Sequence, residues 1–372
     1  MRPDIVVIGG GTVGAAIAYG LAKRRQNVLL LDGDDGDFRA ARANFGLVWL
    51  QGKGLGMPAY QALTRRSIAL WRGFSDALEA ETGGDLAYEQ NGGLAFCLGE
   101  EAFEKRRLDL MRLHNQRGDG EPDWEMIDRP ALERLLPKAG LGPEVTGASF
   151  GRHDGHANPL RLLAALHGGL VRLGGHIRHR ARVERIERAG ADFRLVLDGE
   201  TLTAPRIVIA AGLGSVALGR QVGLDVPVHP ERGQVLVTER LAPFLPLPAS
   251  GLRQTAEGTV MIGATKDEVG FDASTTTEAA ASLSRKTVRT IPALAHVGLV
   301  RQWAGLRIMT PDGYPIYAQS ESHPGAFVAL CHSGVTLAAF HADPLAEAIT
   351  AGSLSETFSP FHQRRFDVPQ AA

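Results

Sequence analysis

Three glycines at G-x-G-x-x-G spacing, Gly9, Gly11 and Gly14, follow directly on the apolar run Ile5-Val-Val-Ile8. That placement suits phosphate chemistry. The first glycine permits a tight strand-to-helix turn, the second lets backbone amides approach a pyrophosphate, and the third lets helix and strand pack closely. Thr12 and Val13 then open a helix rich in small residues. Its first turn offers unpaired N–H groups and the positive end of its dipole to an anion. A second apolar run, Val28-Leu-Leu-Leu31, ends in Asp32 and Gly33. Its carboxylate stands about twenty residues past the motif, where it would accept the ribose hydroxyls of an adenosine. A glycine motif alone says little. Strand, motif, helix, strand and acid in this order point to a bound dinucleotide, against the competing reading of a glycine-rich turn in an unrelated α/β protein.

Composition narrows the remaining classes. The 372 residues hold 40 Lys and Arg against 41 Asp and Glu, a formal net charge of −1. That balance gives no basic footprint for nucleic acid or an anionic membrane. No apolar run approaches a membrane span and the first strand starts at residue 4, so no secretory leader and a cytoplasmic location are expected. Cys97 and Cys331 lie far apart and support neither a disulfide framework, a zinc site nor an iron–sulfur cluster. They read as small buried hydrophobes. His153-Asp-Gly-His156 has closely spaced ligand types but no further set to complete a site, so no metal is expected.

The length suits about two domains. After Asp32, residues 33–56 are rich in Gly, Ala and Asp and read as a long loop covering a ligand. Helical periodicity follows over 60–81, then a strand over 93–98 and helices over 103–117 and 130–136. Asn158-Pro159 opens another helix, to about 173. A strand over 176–180, a meander across 183–203 turning at Asp198-Gly199, and a buried strand from Arg206 come next. Residues 226–237 read as β-rich, 243–248 as an irregular surface loop, 277–290 as a helix, 326–330 as a strand and 333–348 as a last helix. Dinucleotide-type pieces thus fall at the beginning, middle and end. The expected fold is α/β: a discontinuous Rossmann-like domain of residues 1–88, 151–224 and 324–372, with a second α+β domain of 89–150 and 225–323 on a mixed, largely antiparallel sheet.

The whole chain resembles the D-amino-acid oxidase-like FAD enzymes, which include glycine and sarcosine oxidases. The resemblance rests on the ordered set Gly9-x-Gly11-x-x-Gly14, Asp32, Asn44-Phe-Gly46, Arg206-Ile-Val-Ile-Ala-Ala-Gly-Leu-Gly-Ser215, Arg232-Gly-Gln234, Gly305-Leu-Arg307 with Pro311-Asp-Gly313, and His332-Ser-Gly-Val-Thr336. Residues 43–51 are most similar to the FAD-bearing subunits of heteromeric opine, hydroxyproline or proline dehydrogenases. Two departures stand out. Ala40, Ala41 and Arg42 replace the usual hydroxyl residue, so Arg42 or backbone amides would meet the phosphates, and Asp32 stands where many members have Glu.

The resemblance implies a non-covalent FAD held by Gly9, Gly11, Thr12, Val13, Gly14, Asp32, Gly33, Arg42, Asn44, Phe45, Gly46, Val183, Ala211 and Gly212. Ser333, Gly334, Val335 and Thr336 would face the flavin, where the last helix stabilises negative charge on its pyrimidine. His332 would touch the ring, and Arg307 would contact the cofactor and grip a substrate carboxylate through two parallel hydrogen bonds. The alternatives are a core histidine and an interdomain ion pair. Tyr314 and Tyr317 read either as pocket walls or as packing, and Arg232 as part of an interdomain wall. The implied activity is FAD-dependent oxidation of an amino acid or secondary amine by hydride transfer to flavin N5, giving an imine. Electrons would pass to an iron–sulfur or FAD partner subunit, with 241–248 as a contact segment, and FMN at a subunit interface near His153 or His156 is a further implication. A self-sufficient oxidase using oxygen, a 2-hydroxy acid dehydrogenase of the same fold, a non-catalytic flavoprotein subunit and a nicotinamide-dependent dehydrogenase stay open as rivals.

Overall fold

A computed structural model of the chain describes residues 2–33, 40–118 and 120–367. Residues 34–39, part of the expected ligand-covering loop, lie outside that range. The central element is a six-stranded sheet in the order Ile316–Gln319, Ala326–Leu330, Arg206–Ile209, Ile5–Ile8, Val28–Leu31, His176–Arg178. All neighbours are parallel except the first pair. Ile5–Ile8 and Val28–Leu31 are buried at every position, which is why they read as unbroken apolar runs: helices and loops cover both faces of a parallel sheet. The strand Ile316–Gln319, inside the segment assigned by sequence to the second domain, joins this sheet.

The helix Thr12–Lys23 lies against the sheet and packs tightly on the C-terminal helical segment. A Cβ on Gly20 would stand 2.0 Å from the Ala342 carbonyl oxygen, so only glycine allows that approach. That C-terminal segment departs from the expected single helix over 333–348. Residues 333–337 form a turn, Ala338–Phe340 begins the helix, and a π-helical stretch His341–Leu345 contains Pro344 before Ala346–Ala351 resumes. Pro344 has no amide to donate, which removes an i→i−4 bond there.

Beside this sheet stand two antiparallel ones. Leu252–Gln254, Thr259–Gly263, His229–Arg240 and Leu299–Met309 form the first, and Gly93–Leu98, Val145–Gly151 and Trp124–Asp128 the second. A bridge from Leu94 to Ala249 links them, and Leu94, Val145, Leu236, Ile262 and Leu294 share one core. Most of these strands are invisible to periodicity, because their buried positions are broken by glycine, arginine and threonine. The loop 243–248 is a correction. Leu245 and Leu247 are 5% and 7% exposed and belong to that core, and Gln254 Oε1 accepts from the amides of Phe244 and Leu245. It is internal packing rather than an outward contact segment.

Apart from that last segment, the expected helices are found near their expected bounds because their ends are signalled. Pro58–Thr82 starts on a proline and ends at Gly83 with φ 69°. Pro159–Arg172 is capped by the Asn158 side chain and Thr277–Thr290 by that of Thr276. No helix among the described residues is long and apolar enough to cross a membrane.

Candidate active site

A cavity of about 840 Å³ runs along the C-terminal ends of the parallel strands and reaches the larger antiparallel sheet. Gly9, Gly11, Thr12, Val13, Asp32, Gly33, Ala181 and Val183 line one end. A Cβ on Gly9 would lie 2.3 Å from the Ala210 carbonyl oxygen, and one on Gly14 would lie 1.9 Å from that of Gly9. Gly14 therefore serves packing and does not line the cavity. Gly11 differs. Among the described residues, a Cβ there would meet only Ala41 Cβ at 3.8 Å, so the protein itself leaves room for a side chain that the motif withholds. Asp32 is buried, its backbone held by Arg178 and Ala181 and its carboxyl group packed over Gly10.

In Asn44-Phe-Gly46 the first two residues face the cavity and the glycine packs behind them. Asn44 Oδ1 accepts from the Gly46 amide at 2.8 Å, and Gly46 takes φ 90° against the Ala157 carbonyl. Asn44 and Phe45 line the cavity while Gly46 does not. Arg42 is exposed and does not line the cavity, whereas Ala40, Ala41 and Ala43 beside it do. Ala211 and Gly212 line the opposite wall.

Lys53, Gly233, Arg307, Cys331, His332 and Ser333 also line the cavity, and Gly334, against Val13 and Thr12, brings Val335 and Thr336 beside the glycine motif. Arg307 lies on the strand Leu299–Met309, directly across from Glu231 on His229–Arg240. Its Nη1 donates to Glu231 Oε1 at 2.6 Å and to the Thr265 carbonyl at 3.0 Å. Gly233 makes room for Nη2, since a Cβ there would stand 2.6 Å away. Thus one edge of the guanidinium is committed to the protein, and Nη2 and Nε make no hydrogen bond among the described residues. Arg232 is turned away and paired with Asp267 and Asp272. It braces the segment carrying Phe271, which also lines the cavity.

His332 Nε2 stands 3.2 Å from Ser333 Oγ and 3.4 Å from Lys53 Nζ. Burial, helped by the charges of Lys53, Arg307 and Lys266, pushes its imidazolium form down to about 3, so it is neutral at physiological pH. Ser333 Oγ also receives hydrogen bonds from Lys53 Nζ at 2.8 Å and the Tyr60 hydroxyl at 3.1 Å. Thr336 is structural in its side chain, accepting from Trp49 and donating to Leu47, while its carbonyl accepts from Ser67 and Trp71. The amides of Gly334, Val335 and Thr336 have no partner among the described residues.

Sequence reasoning does not single out Lys53, Tyr60, Glu231 or Asp154. Lys53 sits in Gln51-Gly-Lys-Gly-Leu-Gly56, which has no periodicity to mark an inward residue. Asp154 reads from sequence only as part of a histidine-rich motif. It points inward and holds the Lys53 turn, accepting from the Leu50 amide at 2.5 Å and the Gln51 amide at 3.2 Å. His156 Nδ1 lies 3.2 Å from Arg253 Nη1 in the interior, and His153 lies near Asp123 at the surface. No group of three or more His, Cys, Asp and Glu gathers for a metal among the described residues. Tyr317 is fully buried on His341 and Tyr314 packs on Tyr60; neither lines the cavity. Both are packing tyrosines.

The donor set fits a dinucleotide cofactor. Unpaired amides open the helix Thr12–Lys23, Gly11 leaves a cradle that a Cβ would fill, and the buried Thr12 hydroxyl has no partner among the described residues. Protein packing accounts for none of the three.

Comparison with known proteins agrees. Residues 4–348 match the family model DAO, FAD dependent oxidoreductase. The chain is 42% identical over 369 residues to an opine oxidase subunit of Agrobacterium tumefaciens (strain Ach5), covering 99% of each. It is 27% identical over 381 residues to glycine oxidase of Geobacillus kaustophilus (strain HTA426), covering 98% of this chain and 97% of that one. The crystal structure of glycine oxidase from Geobacillus kaustophilus matches with a TM-score of 0.89 at 26% identity, over 98% of this chain and 99% of that one. L-proline dehydrogenase from P. horikoshii shares the fold, with a TM-score of 0.83 at 23% identity over 98% of each.

Proposed function

The chain belongs to the DAO family of FAD-dependent oxidoreductases, and we propose that it oxidises an amino acid or secondary amine at the carbon beside nitrogen. The observation that carries this reading is the open edge of Arg307 in one cavity with the glycine motif and the unpaired amides of 334–336. FAD would supply the hydride acceptor at its N5. Gly11, Thr12 and Val13 would meet its pyrophosphate, Asp32 its ribose, and Gly334, Val335 and Thr336 the flavin. Arg307, oriented by Glu231, binds the substrate carboxylate through Nη2 and Nε and so fixes the carbon that loses hydride. Neutral His332 adds no positive charge beside the reacting amine. The imine product then leaves or is hydrolysed by water. The opine oxidase and glycine oxidase relatives support this substrate class.

The name of the 42% identical relative, a subunit, favours electron transfer to a partner polypeptide. With two cysteines in all, an iron–sulfur relay would sit on that partner. The purified yellow protein should bleach under anaerobic titration with an amine or amino-acid panel, and acid precipitation should release all flavin. A flavin that dithionite reduces but no panel member bleaches ends the catalytic reading. Turnover with oxygen alone at full rate replaces the subunit reading with a self-sufficient oxidase.

A further inference from the structure

His167 lies within the helix Pro159–Arg172, and nothing in the oxidation chemistry uses it. Its Nε2 stands 2.9 Å from the carbonyl oxygen of Gly10, a residue 157 positions earlier and inside the glycine motif. A carbonyl only accepts, so the ring proton sits on Nε2 and is donated to Gly10. The helix that carries this donor is firmly placed. The Asn158 side chain caps its first turn. Further along it packs on the helix Thr12–Lys23 at Gly169, where a Cβ would lie 2.9 Å from Tyr19 Cε2. Gly10 is equally confined, since a Cβ there would stand 2.7 Å from Asp32 Cγ. The buried residues beside His167 on its helix, Leu163, Leu166 and Leu170, are apolar, so the one ring donor stands out among them.

The Gly10 carbonyl and the Gly11 amide belong to one peptide plane. In a trans peptide the oxygen and the hydrogen point in opposite directions, and the plane turns as a unit. A grip on the oxygen therefore aims the N–H. Gly11 lines the cavity, and its amide makes no hydrogen bond among the described residues. A carbonyl that accepts a hydrogen bond also polarises its peptide, which makes the N–H on the far side a stronger donor.

We propose that His167 is a positioning residue for the cofactor: by holding the Gly10 carbonyl it presents the Gly11 amide, already aimed, to the pyrophosphate of FAD. This rests on the placement of the pyrophosphate at the glycine motif and adds the residue that fixes its donor. A donor oriented before the anion arrives leaves less to order on binding. A hydrogen bond to a charged oxygen is worth roughly a tenfold change in affinity or more. Adenosine carries no pyrophosphate, so its binding should not sense the Gly11 amide.

The test uses the full-length apoprotein, with ADP and adenosine as competitors of FAD rebinding followed by flavin fluorescence. Wild type should prefer ADP. His167→Ala should keep its fold by circular dichroism, weaken FAD and ADP roughly tenfold and leave adenosine within about threefold. His167→Gln, whose side-chain amide can donate from nearly the same position, should recover most of that loss. Should His167→Ala not fold, His167→Leu, which keeps bulk and lacks the donor, gives the same reading. Equal weakening of ADP and adenosine makes His167 a packing residue and overturns the proposal, as does a failure of His167→Gln to rescue. Two further outcomes separate this proposal from the placement beneath it. A preference for ADP that His167→Ala leaves intact removes His167 alone; a wild type that binds ADP no better than adenosine removes the pyrophosphate from the motif and His167 with it.

Discussion

Arg307 and Glu231 face each other across an antiparallel strand pair, with Nη1 2.6 Å from Oε1. Directly opposed residues on one face of a sheet sit about 5 Å apart at Cβ, so this register alone brings guanidinium and carboxylate together. The consequence is a cation whose orientation is set before any ligand arrives. Glu231→Gln should keep the sheet and the FAD content but loosen that orientation. A fall in kcat/KM of roughly 10- to 100-fold, carried mainly by KM, is expected from losing one charge-assisted bond. Arg307→Lys should cost at least as much, because a lysine cannot offer two parallel donors. Steady-state kinetics alongside flavin content distinguish these effects; unchanged KM in both variants removes Arg307 from the substrate.

The glycine motif makes a second, sharper contrast. Gly11→Val should abolish FAD loading while the apoprotein still folds, since Ala41 Cβ alone among the described atoms lies within 4 Å of the added Cβ. Gly14→Val should instead damage the fold, because its Cβ would enter the Gly9 carbonyl at 1.9 Å. Far-ultraviolet circular dichroism and flavin absorbance on both variants check the difference. A Gly11→Val protein that is as yellow as wild type contradicts the placement of pyrophosphate at Gly11.

What can be read from the sequence follows the same division between local and distant causes. The strand and helix around Gly9 and Gly14 are dictated by neighbours in the chain, as are the capped helices at Asn158 and Thr276. Their signals are therefore visible. Arg307 stands out through a short motif, but its partner Glu231 is 76 residues away and depends on strand register. Lys53 and Asp154 are similarly joined only by folding, which places a surface-type lysine in a cavity and an acid beneath it. The prolines of 243–248 suggest an exposed loop, while the leucines among them are needed to fill the core. Composition names the residue types correctly and cannot say which way they face.

Asp154 carries the last prediction. Its Oδ1 accepts the Leu50 and Gln51 amides, but Oδ2 is buried with no hydrogen-bond partner among the described residues, and burial raises the carboxyl group to about 7. A carboxyl group raised above its unfolded value favours the fold in its neutral form. Its contribution is therefore complete below about pH 4 and is lost as pH rises toward 7. A shift from 3.8 to about 7 corresponds to roughly 4 kcal/mol at most. Asp154→Asn keeps an acceptor for the two amides and cannot ionise, so it should escape that loss. The buried His156, His332 and His341 titrate in both proteins, and the difference between variant and wild type cancels their share. Denaturant unfolding at pH 5 and pH 8 should show the variant gaining stability relative to wild type by a few kcal/mol on going to the higher pH. A difference that stays constant across that range would mean Asp154 is already ionised in the folded protein at pH 5.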